Sequence, residues 1–154
     1  MLIFLISCLQ FPDTDAPTAD SSDTGSVGGC PSGLVEADAE TVLLNNFSVD
    51  GLPLYGVAER LCVSTDGLSM QADLLIGEEP GSIALSSAPG SVNLPDDGVQ
   101  VTLVQESTWT GDDIYAGTAT LSVSSTEVFG DLQFEATNSE GDQINFGMSW
   151  SAEL

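Results

Sequence analysis

Positive charge is almost missing from this chain. Its 154 residues include one basic side chain, Arg60, and no histidine, against 24 Asp and Glu, for a formal net charge of −23. Without His or Lys there is no Ser-His-Asp triad, no Cys-His dyad, no lysine Schiff base and no P-loop lysine. Only carboxylates remain as acids or bases. A glycosidase needs two carboxyl groups roughly 5–10 Å apart across a cleft, and acids this numerous single out no pair. We therefore assign no catalytic residue and expect a protein that is not an enzyme. A negative field of this size repels nucleic acid and anionic lipid headgroups, so neither is expected as a partner.

Long apolar runs are also missing. A transmembrane helix needs about 20 consecutive apolar residues, and no segment has them. Cysteine is scarce, at three residues. With no C-x-x-C pair and no His, a zinc site is not expected. The acids do cluster in two turns, Asp96-Asp97-Gly98 and Asp112-Asp113, on either side of one expected strand. Calcium takes 6–8 oxygen ligands, and the two ends of one strand do not share an ion. Both turns read as aspartates bonding their own backbone, and no metal or cofactor is assigned.

What is present at the N-terminus is a short apolar run, Leu2 to Ser7, closing on Leu5-Ile6-Ser7-Cys8. This resembles the lipobox of bacterial lipoproteins. No basic residue precedes the run, and it is shorter than the usual apolar core of 7–15 residues. The resemblance implies that residues 1–7 are a signal peptide and that Cys8 is diacylated after cleavage. Two acyl chains suffice for stable anchoring, where one gives only marginal binding. Leu9 stands where that family's inner-membrane retention signal is an Asp, so the resemblance points to the outer membrane or cell surface. It also accounts for the odd cysteine. With Cys8 acylated in an oxidising compartment, Cys30 and Cys62 are expected to form a disulfide.

Residues 8–29 read as an acidic tether like those of surface lipoproteins. It runs through Asp13, Asp15, Asp20 and Asp23 with Thr, Ser, Pro and Gly, and has only Phe11 and Val27 as large apolar side chains after Leu9. A segment so poor in apolar surface does not offset the entropy of ordering itself. As a flexible linker it spans roughly 25 Å.

Residues 30–154 read as one all-β domain, an antiparallel β-sandwich of about eight strands, with a small barrel as the alternative. Period-2 alternation places Leu68, Met70, Ala72, Leu74 and Ile76 on one face, facing Leu61 and Val63. A two-residue type I′ turn at Asp66-Gly67 pairs Thr65 with Leu68, Val63 with Met70 and Leu61 with Ala72. It sets Arg60 opposite Asp73 on the outward face. Later strands put Ala119, Leu121 and Val123, then Val128, Leu132, Phe134 and Ala136, then Ile144, Phe146, Met148 and Trp150 inward. A Ser139-Glu140-Gly141 loop pairs Ala136 with Ile144, Phe134 with Phe146 and Leu132 with Met148, leaving Gly130 opposite Trp150. Further strands are expected over 41–49, 54–64, 82–87 and 99–109, with a helical start possible in 36–44.

These readings converge on a lipid-anchored, non-catalytic envelope protein. Its membrane contact is the lipid alone, and the identity of any protein or glycan partner stays open. A second reading is a calcium- or carbohydrate-linked binding module, with the loop acids and Trp109 or Tyr55 as contacts. A third is a carboxylate-dependent hydrolase.

Overall fold

Apolar side chains alternate with polar ones along the long strands, and the chain folds to bury the apolar set. A computed structural model describes residues 29–154. The Leu5–Cys8 motif and all of the tether before Gly29 lie outside the described residues. The strands are β1 Leu34–Ala37, β2 Leu43–Val49, β3 Leu52–Pro53, β4 Gly56–Ser64, β5 Ser69–Ile76, β6 Glu79–Ser86, β7 Gly90–Leu94, β8 Gln100–Val104, β9 Thr108–Thr110, β10 Ile114–Val123, β11 Glu127–Thr137 and β12 Gln143–Glu153. Among the described residues there is no α-helix, only two 3-10 turns at Ala39–Thr41 and Gly111–Asp113.

Two six-stranded antiparallel sheets pack as a sandwich, and neither closes into a barrel. The first has the order β1-β4-β5-β6-β8-β9, the second β3-β2-β12-β11-β10-β7. The inward faces interdigitate in one core. Leu61, Ala72, Leu74, Ile83 and Leu103 from the first sheet, and Leu132, Phe146 and Met148 from the second, are fully buried. Phe146 sits edge-on to Phe47 at a centroid distance of 5.7 Å and tilted against Phe134 at 5.3 Å. Such pairs add to simple burial.

The registers follow the alternation. Val63 pairs with Met70, Leu61 with Ala72 and Arg60 with Asp73. Ala136 pairs with Ile144, Phe134 with Phe146, Leu132 with Met148 and Gly130 with Trp150. Val123 faces Val128 and Gly117 faces Phe134. A Cβ on Gly130 would overlap the Trp150 indole, so the absent side chain makes the ring's space. In the closing hairpin Gly141 takes φ +95°, the left-handed conformation that glycine adopts without steric cost.

The structure has twelve strands where about eight were expected. Three of the four additions are edge or near-edge pieces. β1 and β3 are short sheet edges without alternation, and β7 lies between Pro89 and Pro95, where prolines are tolerated at an edge. The fourth comes from the segment 99–109, which is a hairpin and not one strand. Gln105 N–H donates to the Ser107 carbonyl at 2.9 Å, and the chain returns so that Trp109 faces Leu103. A straight strand would have aimed Gln105 and Ser107 inward with Val101 and Leu103. The reversal puts those two polar side chains in a loop instead.

Two local expectations are also corrected. The 36–44 segment holds β1's end and a single 3-10 turn, capped by Asp38 accepting from Glu40 N–H at 2.9 Å. The turn at Asp66-Gly67 is not a two-residue type I′ turn. Thr65 and Leu68 are loop residues, and only Gly67 has positive φ, at +72°. Gly67 N–H donates to Ser64 O at 2.8 Å. The Asp66 carboxylate accepts from the Ser64 hydroxyl at 2.6 Å and from Leu68 N–H at 3.0 Å. Those donors hold it below the ordinary carboxylate range, the Ser64 hydroxyl most of all. The register survives because the buried faces demand it.

Candidate functional site

The first built feature is the point where the chain enters the sandwich. Cys62 lies on the outward face of β4, and Cys30 is bonded to it with a Cα–Cα distance of 5.7 Å. The bridge covers Cys62, which is 2% exposed. Beside it, Arg60 Nε donates to Asp73 Oδ2 at 2.8 Å, and Arg60 Nη1 donates to the Gly29 carbonyl at 3.1 Å. Gly29, read as the last tether residue, is thus held against the sheet. Sequence reasoning found the bridge and the cross-strand ion pair. It missed the guanidinium's second contact, which only the entering chain supplies.

The second feature is an open cleft of about 590 Å³ at one end of the sandwich. Pro95, Asp96 and Asp97 line one side, and Thr110 and Asp112 the other. The two acidic turns were not expected to share an ion. The β8–β9 hairpin brings them to one cleft. Two of the four carboxylates in these turns, however, have backbone work. Asp96 Oδ1 accepts from Gly98 N–H at 2.8 Å. Asp113 Oδ2 accepts from Thr110 N–H at 2.7 Å and from its hydroxyl at 3.0 Å. Among the described residues, no group of three or more Cys, Asp or Glu is placed to hold a metal ion.

The aromatics separate clearly. Trp109, offered as a binding residue at a loop edge, is 2% exposed and belongs to the core. Its Nε1 donates to the Asp142 carbonyl at 3.4 Å. Tyr55 is exposed in the β3–β4 connection. Two others are half-exposed and were not singled out from the sequence: Tyr115 and Phe129. Phe129 was legible as the outward neighbour of Val128. Tyr115 was not, because it is the extra residue of a bulge between Ile114 and Ala116.

Chemically, the described surface offers carboxylates, amides and hydroxyls. Its one buried polar residue is Ser87. Among the described residues no Asp or Glu side chain is buried. Comparison with protein-family models, with curated proteins and with solved structures returned no match.

Proposed function

We propose that the chain is a non-catalytic lipoprotein of the cell envelope. Diacylated Cys8 holds it to the outer membrane or cell surface, residues 8–29 act as spacer, and the sandwich of 30–154 is displayed outside the cytosol. The observation that carries this reading is the Cys30–Cys62 bridge. Stable disulfides belong to oxidising compartments, and this one engages two of the three cysteines. The lipobox-like Leu5-Ile6-Ser7-Cys8 gives the third a use consistent with that compartment. The bridge and Arg60 also fix the entry point of the chain, so a pull or a displacement at the tether is delivered to the sheet and not to a loose terminus.

The test is mass spectrometry of the protein recovered from a bacterial envelope. The expected mature chain begins at Cys8 and carries a diacylglyceryl mass, and Cys8→Ala leaves the precursor uncleaved and without lipid. A mature chain that keeps residues 1–7 with an unmodified Cys8 overturns the reading.

A further inference from the structure

The outer face of the second sheet carries a feature that packing does not require. At the start of β10 a bulge inserts Tyr115 between Ile114, which is buried, and Ala116, which is exposed. Bulges re-aim side chains, and here the result is a half-exposed aromatic ring on a solvent face. Glu135 on the adjacent β11 raises the Tyr115 phenol above its ordinary pKa, chiefly by side-chain hydrogen bonding and then through burial. Glu135 Oε1 accepts from Asn145 Nδ2 on β12 at 3.4 Å, and Asn145 Oδ1 accepts from Asn46 Nδ2 on β2 at 2.9 Å. One hydrogen-bonded row thus crosses three adjacent strands, a span of about 10 Å at the usual strand spacing, and Tyr115 stands beyond its β11 end on β10.

Beside the row runs a shallow groove of about 410 Å³, walled by Asn46, Asn145, Glu135, Gln133 and Thr118. In the register, Gly147 lies between Asn46 and Gln133. A Cβ there would meet nothing closer than 3.4 Å. Packing therefore does not demand this glycine. Its missing side chain keeps the surface between the two amides low.

We propose that this face binds an uncharged glycan: the Tyr115 ring takes the C–H face of a sugar, and Glu135, Asn145 and Asn46 take its hydroxyls. The proposal deepens the reading of the sandwich as a displayed module by naming its ligand class. Each wall group suits a polyhydroxylated ligand. Carboxylate and amide oxygens accept from hydroxyls, and amide N–H groups donate to them. The mutual bonds hold the side chains in place before binding, which lowers the entropy cost. Charge selects against anionic polymers, because the only ionised group among the five walls is Glu135 and the whole chain is strongly acidic. A peptide strand is disfavoured because β11 and β12 are paired on both sides, leaving no free backbone on this face.

The test is affinity electrophoresis of the full chain through gels containing hydroxyethylcellulose, dextran or laminarin, with alginate as the anionic control. Retardation is expected in at least one neutral polymer and not in alginate. Tyr115→Ala and Glu135→Gln should each weaken it about tenfold, while Val35→Ala, at an exposed position on the first sheet, leaves it unchanged. Thermal unfolding of each variant confirms that it folds, and the two variants act through different side chains. The proposal is overturned by free migration in all three neutral gels, by equal retardation in alginate, or by retardation that Tyr115→Ala and Glu135→Gln leave intact. The Cys8 mass and the gel shift are separate readouts, so failure of anchoring and failure of glycan binding are told apart.

Discussion

At the residue scale, the fold depends on small residues standing opposite large ones. Gly130 faces Trp150 across β11 and β12, and any side chain at 130 would enter the indole's space. Gly130→Ala should therefore destabilise by about 1–3 kcal/mol, the usual cost of overpacking. A urea unfolding midpoint checks it, and a midpoint equal to the parent's would show that the ring moves aside freely. This pairing was legible from the sequence, because alternation and a three-residue loop determine who faces whom. The role of Tyr115 was not. A bulge changes the face of one residue without leaving a compositional mark, and Ile-Tyr-Ala is as good a straight strand as a bulged one.

At the element scale, the β8–β9 hairpin is latched to the opposite sheet. Ser107 Oγ donates to Asp142 Oδ2 at 2.7 Å, Asn138 Nδ2 donates to the same atom at 3.1 Å, and Trp109 Nε1 reaches the Asp142 carbonyl. The Ser107 hydroxyl, then the Asn138 amide, hold this carboxyl below its usual pKa of 3.8. A depressed folded pKa means that the stabilisation is present above 3.8 and is lost as pH falls through the folded value. Asp142→Asn should lower the melting temperature near neutral pH. The gap from the parent should shrink as pH drops below 3.8. A gap that stays constant through acid would mean that the charge plays no part. Neither the hairpin nor its latch was read from the sequence. The alternation across 99–109 stays in phase if Gln105 and Ser107 are tolerated as inward residues, and only the competing core rejects them. The acids at 96–97 and 112 were each found as turns. Their meeting in one cleft depends on that same reversal.

At the scale of the whole molecule, the disulfide ties the entering chain to β4, one strand in from the edge of the first sheet. With 32 residues of separation, the bridge should contribute about 3–4 kcal/mol by restricting the unfolded chain. Cys30→Ala with Cys62→Ala should lose about that much in denaturant titrations, and reduction of the parent should reproduce the loss. A double variant as stable as the oxidised parent would show that the sandwich needs no staple.

The amino-acid order by itself determined the class, the inward and outward faces of the long strands, and the registers of three hairpins. A period of two is written residue by residue, and a slip of one would turn every apolar side chain to water. It also carried the Cys30–Cys62 pair, through the expectation of an oxidising compartment. The three edge pieces, the order of strands in each sheet, the turn at Gln105–Ser107 that returns Trp109 to the core and the polar row from Glu135 to Asn46 were decided only by tertiary structure. Edge strands have little alternation of their own, and they form because a neighbour offers unpaired backbone. Groups that meet across three strands are separated by up to 99 positions in the chain, a distance over which no local pattern speaks.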